Sequence, residues 1–132
     1  FAEAGRALGR LHWAGMAHGR PAVRDVCWDG REARFIDLER FRPGRRGGLW
    51  QAADVVMFTQ TAFTQWPGDP RWLNAALEGY GVNAPEGAMD RVRRLAVWLA
   101  PLGWLAQAMA LVKPRSRELR AVGLTLQRLR RG

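Results

Sequence analysis

A few residue types and spacings in this chain could do chemistry. Asp37 follows directly on the apolar run Ala33–Ile36. A carboxylate at the end of a strand is well placed to hold Mg²⁺, which takes one or two carboxylates and keeps its other contacts for phosphate oxygens and water. Arg20 and Arg24 lie upstream in a Pro-containing loop, and guanidinium forks suit phosphate or another anion. His18 and Asp25 share that loop. Asp54 is the only acid inside a long apolar run, and a buried acid there needs hydrogen-bond partners. Plainer alternatives stand beside these readings. His18 fits a packed, loop-anchoring histidine, Arg24 with Asp25 fits a surface ion pair, and Glu39 with Arg40 fits another.

The elements that must position these residues follow from periodicity and breakers. Residues 2–16 read as a helix with Ala4, Ala7, Leu8, Leu11 and Ala14 on one face. AHGRPAVRD, 17–25, reads as a loop. Val26–Trp28 and Ala33–Ile36 read as strands joined by Asp29-Gly30, a hairpin signal. RPGRRGG, 42–48, reads as a basic loop. Leu49–Gln65 reads as a helix, WPGDP as a break, and Arg71–Tyr80 as a short helix stopping at Gly81. A long helical stretch begins at Ala88, with Pro101 expected to kink or split it. Pro114 ends that stretch, and Arg115–Arg131 reads as a last amphipathic helix.

Composition bounds the rest. The 132 residues suit one domain with a real core. The net charge is +9, with Lys113 the single lysine among 21 bases. Codon usage in a GC-rich genome would produce the same arginine bias. A basic balance of this size points toward nucleic acid, phosphate ligands or an anionic membrane. Seven Trp and 48 % hydrophobic residues argue against a disordered tail. The Trp residues at helical spacing read as core, and Cys27, inside a strand, as a small buried hydrophobe. A single cysteine excludes an intrachain disulfide framework and suits a reducing, cytoplasmic compartment. Leu95–Val112 carries no charge over eighteen residues, flanked by Arg91, Arg93 and Arg94 and by Lys113, Arg115 and Arg117. That is the lower edge of a spanning length, and a buried helix pair is the favoured reading, with peripheral contact at an anionic membrane face held open.

The order helix, LHWAGMAHG, Pro-containing loop, hairpin and FIDLE resembles the catalytic half of a protein-kinase-like phosphotransferase. The likeness is to the lipopolysaccharide inner-core (Kdo and heptose) kinase family, with motifs over about residues 2–65. The implied fold is mainly α, the C-terminal lobe of a kinase-like fold over 1–132 with a small β-hairpin at its cleft. Segment 17–41 would be the catalytic-loop and metal-binding segment and 88–131 the C-terminal helices. Phe1 enters at once into a helix pattern, so the chain reads as a piece whose small lobe lies elsewhere; it has no G-x-G-x-x-G of its own.

The resemblance implies ATP and Mg²⁺ as cofactors and a sugar or glycolipid hydroxyl as acceptor, at the cytoplasmic face of the inner membrane. Asp37 corresponds to the metal-binding Asp, with Glu39 a second metal contact. Asp25 falls five residues after the position of the catalytic Asp and would hold Mg²⁺ or orient the hydroxyl. The catalytic position itself is Arg20, a departure that leaves a non-catalytic scaffold, binding a protein partner or anionic membrane, as the alternative. His18 and Asp54 would brace the loop. A basic nucleic-acid module rests on charge alone and accounts for neither the hairpin nor FIDLE.

Overall fold

The computed structural model describes residues 1–36, 47–67 and 69–131. Among them are six helices and one two-stranded sheet, so the architecture is mainly α with a small antiparallel hairpin. The helices are α1 (Ala2–Trp13), α2 (Gly48–Gln65), α3 (Arg71–Asn83), α4 (Ala88–Trp98), α5 (Ala100–Val112) and α6 (Arg117–Arg131). The strands are β1 (Val26–Trp28) and β2 (Ala33–Phe35), preceded by a 3-10 turn at Val23–Asp25.

Each boundary has a local cause. Gly15, at φ +76°, takes a left-handed conformation just past α1 and stops it earlier than the apolar pattern suggests. Gly81 does not stop α3, which runs on to Asn83. Pro101 stands in the first turn of α5, where a missing N–H costs nothing. The long stretch therefore splits at Leu99, and α4 and α5 meet at a 55° bend.

Helix α2 is the central element, packed against α4 and α6. Its Ala52, Val55, Phe58 and Ala62 are all buried. Helix α1 lies along α3 and also covers β2. Leu8, Leu73 and Tyr80 are almost fully enclosed at that seam. Arg128 of α6 donates to Asn74 Oδ1 of α3 from both Nε and Nη2, at 3.1 and 2.8 Å, tying the last helix to the third.

The hairpin pairs Val26 with Phe35, Cys27 with Arg34 and Trp28 with Ala33. Its turn is a four-residue link in which Asp29 Oδ1 accepts the amides of Arg31 and Glu32 at 2.9 and 2.8 Å. Those two amides, Glu32's first, hold the Asp29 carboxyl below its ordinary value. Cys27 is exposed, against the expectation of burial. Strand alternation explains this: Cys27 and Arg34 share the outward face, while Val26 and Phe35 turn inward.

Two further expectations are corrected. Of the seven Trp, only Trp72 is buried, because most of the others stand on outward helix faces and at loop ends. The uncharged stretch is not a buried helix pair. Helix α5 buries only Ala100, Gly103 and Ala106, and presents its larger apolar side chains outward. The reason lies at its contact with α6. A Cβ on Gly103 would come within 3.0 Å of the Leu126 side chain, so the small residues must face inward for the two helices to meet. No single described helix is long and apolar enough to cross a membrane.

Candidate functional site

The site is built on one face of α2. Gln51, Asp54 and Thr61 fall at helical spacing on that face and reach the chain between residues 12 and 23. Gln51 Nε2 donates to the His12 carbonyl at 2.8 Å and to the Met16 carbonyl at 3.4 Å, satisfying acceptors at the end of α1. The Val23 amide donates to Thr61 Oγ1 at 3.4 Å.

Asp54 is the hub, and it is 2 % exposed. Its Oδ2 accepts the His18 amide at 2.5 Å, and its Oδ1 accepts the Gly19 amide at 2.9 Å. Gly19 sits at φ +94°, so the chain turns sharply as it crosses this carboxylate. His12 Nε2 lies 3.2 Å from Asp54 Oδ2. A carboxylate only accepts, so Nε2 carries the hydrogen and Nδ1 is left to accept. The Tyr80 hydroxyl, 2.9 Å from Nδ1, donates to it. The relay Tyr80 to His12 to Asp54 thus links α3, α1 and α2 at the root of the loop.

Tyr80 keeps its proton far into the alkaline range. Burial pushes its phenol up to about 12, with Arg91 opposing and the Asp54 charge adding a little. An unfolded tyrosine ionises near 10. Below that value the stabilisation from this shift is fully present, and it is lost as pH rises toward about 12. Tyr80→Phe is therefore expected to lower stability by about 1–2 kcal/mol at neutral pH, by leaving His12 Nδ1 without a donor. It should also flatten the fall in stability between about pH 10 and 12. Urea titrations across that range check both effects. An unchanged alkaline slope would mean that Tyr80 does not set it.

The structure brings some of the candidate residues together and separates others. His18 and Asp54 meet through the His18 backbone. The His18 ring is 1 % exposed, stacks edge-on against Phe35 with centroids 5.2 Å apart, and its nitrogens have no hydrogen-bond partner among the described residues. Asp25 closes the 3-10 turn, and its carbonyl accepts the Ile36 amide at 2.8 Å. The loop is thereby fastened to the residue just past β2. The Asp25 carboxylate is mostly covered, with Arg24 Nε 3.4 Å from its Oδ1. Arg20 turns to the surface instead. It lines a small groove of about 170 Å³ with Arg24, Gln60, Thr61, Thr64 and Glu118. Asp37, Glu39 and Arg42–Arg46 lie outside the described residues. Among the described residues no three His, Cys, Asp or Glu side chains cluster as metal ligands.

Sequence reading missed His12, Gln51 and Tyr80. The first had a signal. Ala4, Leu8 and His12 fall four residues apart on the buried stripe of α1, and a polar group on such a stripe requires a partner.

No protein-family model matches the chain, and no solved structure matches it. A protein of Haemophilus influenzae, described as an uncharacterized protein, is 38 % identical over 52 residues, covering 39 % of this chain. The match spans 21 % of that relative's own length.

Proposed function

We propose that the chain is the helical lobe of a kinase-like phosphotransferase that acts on a hydroxyl of a sugar or glycolipid, the lipopolysaccharide core being the acceptor class that the sequence resemblance implies. The observation that supports this reading most is the grip of Asp54 on the backbone of residues 18 and 19. Phosphoryl transfer asks little covalent chemistry of a protein and depends on positioning and charge. A loop whose backbone is fixed by a buried carboxylate, and whose far end is fastened to Ile36, holds Asp25 on rigid support.

Within this reading the cofactors are ATP and Mg²⁺. Asp25, Asp37 and Glu39 would hold the metal, which neutralises phosphate charge when bound. Asp25 also orients the acceptor hydroxyl, and the exposed guanidinium of Arg20 attracts phosphate or an anionic acceptor. Asp54 and His18 are positioning residues. The setting is the cytoplasmic face of the inner membrane.

In the intact protein, Asp25→Asn is expected to lower phosphoryl transfer at least about a hundredfold with little change in the denaturation midpoint. Asp37→Asn should do the same. Transfer that survives either change unaltered would overturn the assignment. A second reading, a non-catalytic scaffold, is favoured by Arg20 standing where the resemblance puts the catalytic acid. It expects no turnover from the intact protein at all.

A further inference from the structure

The outward face of α5 is apolar at helical spacing. Leu102, Leu105, Met109 and Val112 recur at intervals of three and four, and they are 53, 57, 44 and 81 % exposed. Trp104, 63 % exposed, flanks the stripe, and Trp98, 77 % exposed, prolongs it across the bend. Soluble surfaces seldom gather this much contiguous apolar area without a partner. At its near end the stripe runs into a groove of about 510 Å³ lined by Leu49, Arg91, Arg94, Leu95 and Trp98.

Charge selects the occupant. From Arg91 to Arg117 the sequence carries six bases and no acid, and Asp90 and Glu118 are the nearest carboxylates. Arg93, Arg94, Lys113, Arg115 and Arg117 are all exposed at the two ends of the apolar stretch. A second copy would bring the same positive rim against this one, and like charges would oppose the contact. An anionic lipid surface offers the complement to both parts: hydrocarbon for the stripe, headgroup charge for the rim, and an interface where Trp is at home. Spanning does not fit. At about 1.5 Å per residue, the 13 residues of α5 reach about 20 Å, short of a hydrocarbon core of about 30 Å. The 55° bend also turns α4 away from the α5 axis.

We propose that α5, with the end of α4, lies flat in the interface of an anionic membrane. Its Leu102–Val112 stripe would be immersed, with the basic rim on the headgroups. This docking does not rest on the phosphotransferase reading and holds equally for a scaffold.

The test is flotation of the intact protein with two kinds of vesicle, phosphatidylcholine alone and phosphatidylcholine mixed with phosphatidylglycerol. The expected result is flotation with the mixed vesicles and at least about tenfold weaker binding to the neutral ones. Raising salt from about 0.1 M to about 1 M should weaken the binding. The variant L105Q/M109Q should lose it at least about tenfold. R93Q/R94Q should lose about twenty- to thirtyfold, from roughly fivefold per arginine. All four positions are exposed, and unchanged circular dichroism verifies that the variants fold. No flotation with the mixed vesicles overturns the proposal. So does a dimer in sedimentation that L105Q/M109Q dissolves while vesicles bind neither form, since a second copy then covers the face. Equal binding of L105Q/M109Q and wild type overturns the immersed stripe.

Discussion

Asp54→Ala is expected to destabilise the chain by about 3–5 kcal/mol, the range for removing one partner from a buried charged network. The reason is the number of donors left behind. The His18 amide, the Gly19 amide and His12 Nε2 all lose their acceptor, and water cannot reach a carboxylate position only 2 % exposed. Each unsatisfied buried donor costs about 1–3 kcal/mol. Asp54→Asn should cost less, because one carbonyl oxygen survives, but its amide hydrogens must face at least one of the same donors. Urea denaturation followed by circular dichroism measures both variants. A loss below about 1 kcal/mol for Asp54→Ala would mean that the loop is held by something other than this carboxylate. Asp54 and His12 should also fail to add in a double-mutant cycle, since they belong to one network.

Gly5→Ala and Gly79→Ala are each expected to cost about 3 kcal/mol or more, at the upper end of overpacking. A methyl on Gly5 would collide with the carbonyl of Ala76, and one on Gly79 with the carbonyl of Ala2. Both obstacles are backbone, so neither can rotate aside. Helices α1 and α3 would have to part, and Ala4, Leu8, Leu73 and Ala76 would lose close packing together. Gly81→Ala is the control. Nothing lies within 4 Å of a Cβ there, and the site is inside α3, so the substitution should stabilise by up to about 1 kcal/mol. Thermal melts of the three variants decide the matter. If Gly5→Ala melts with Gly81→Ala, the close approach of α1 to α3 is not what holds that seam.

Much of the scaffold was readable in the sequence. The α2 span shows in its largely apolar run between Gly47 and Trp66, and the hairpin shows in Asp29-Gly30. The split at Leu99 follows from Pro101. Asp54 stood out because one acid among so many apolar residues demands partners, although its partners, two loop amides and a histidine 42 positions away, could not be read from spacing. Tyr80 was hidden for the same cause: its role depends on α3 lying along α1, a tertiary fact. Helix α5 misled for a different reason. Hydropathy reports that residues are apolar but not which way they face, and there the packing seam is made by Ala and Gly while Leu and Trp point away. Gly81 misled because glycine ends a helix only where the chain also needs to turn.

The α1–α3 seam also sets an order of events during synthesis. Helix α1 buries its apolar stripe chiefly on α3, and about 60 residues separate the end of one from the start of the other, which at roughly 5–20 residues per second takes several seconds to translate. Throughout that interval the Ala4–Leu8–His12 stripe lacks its principal packing surface, with β2 and the Asp54 end of α2 the parts of its seat that emerge earlier. A helix of 12 residues is marginal by itself in water, so until α3 emerges this segment stays loosely held and within reach of chaperones and proteases. Slowing translation downstream of α1 should therefore lower the yield of native protein more than slowing it after α3.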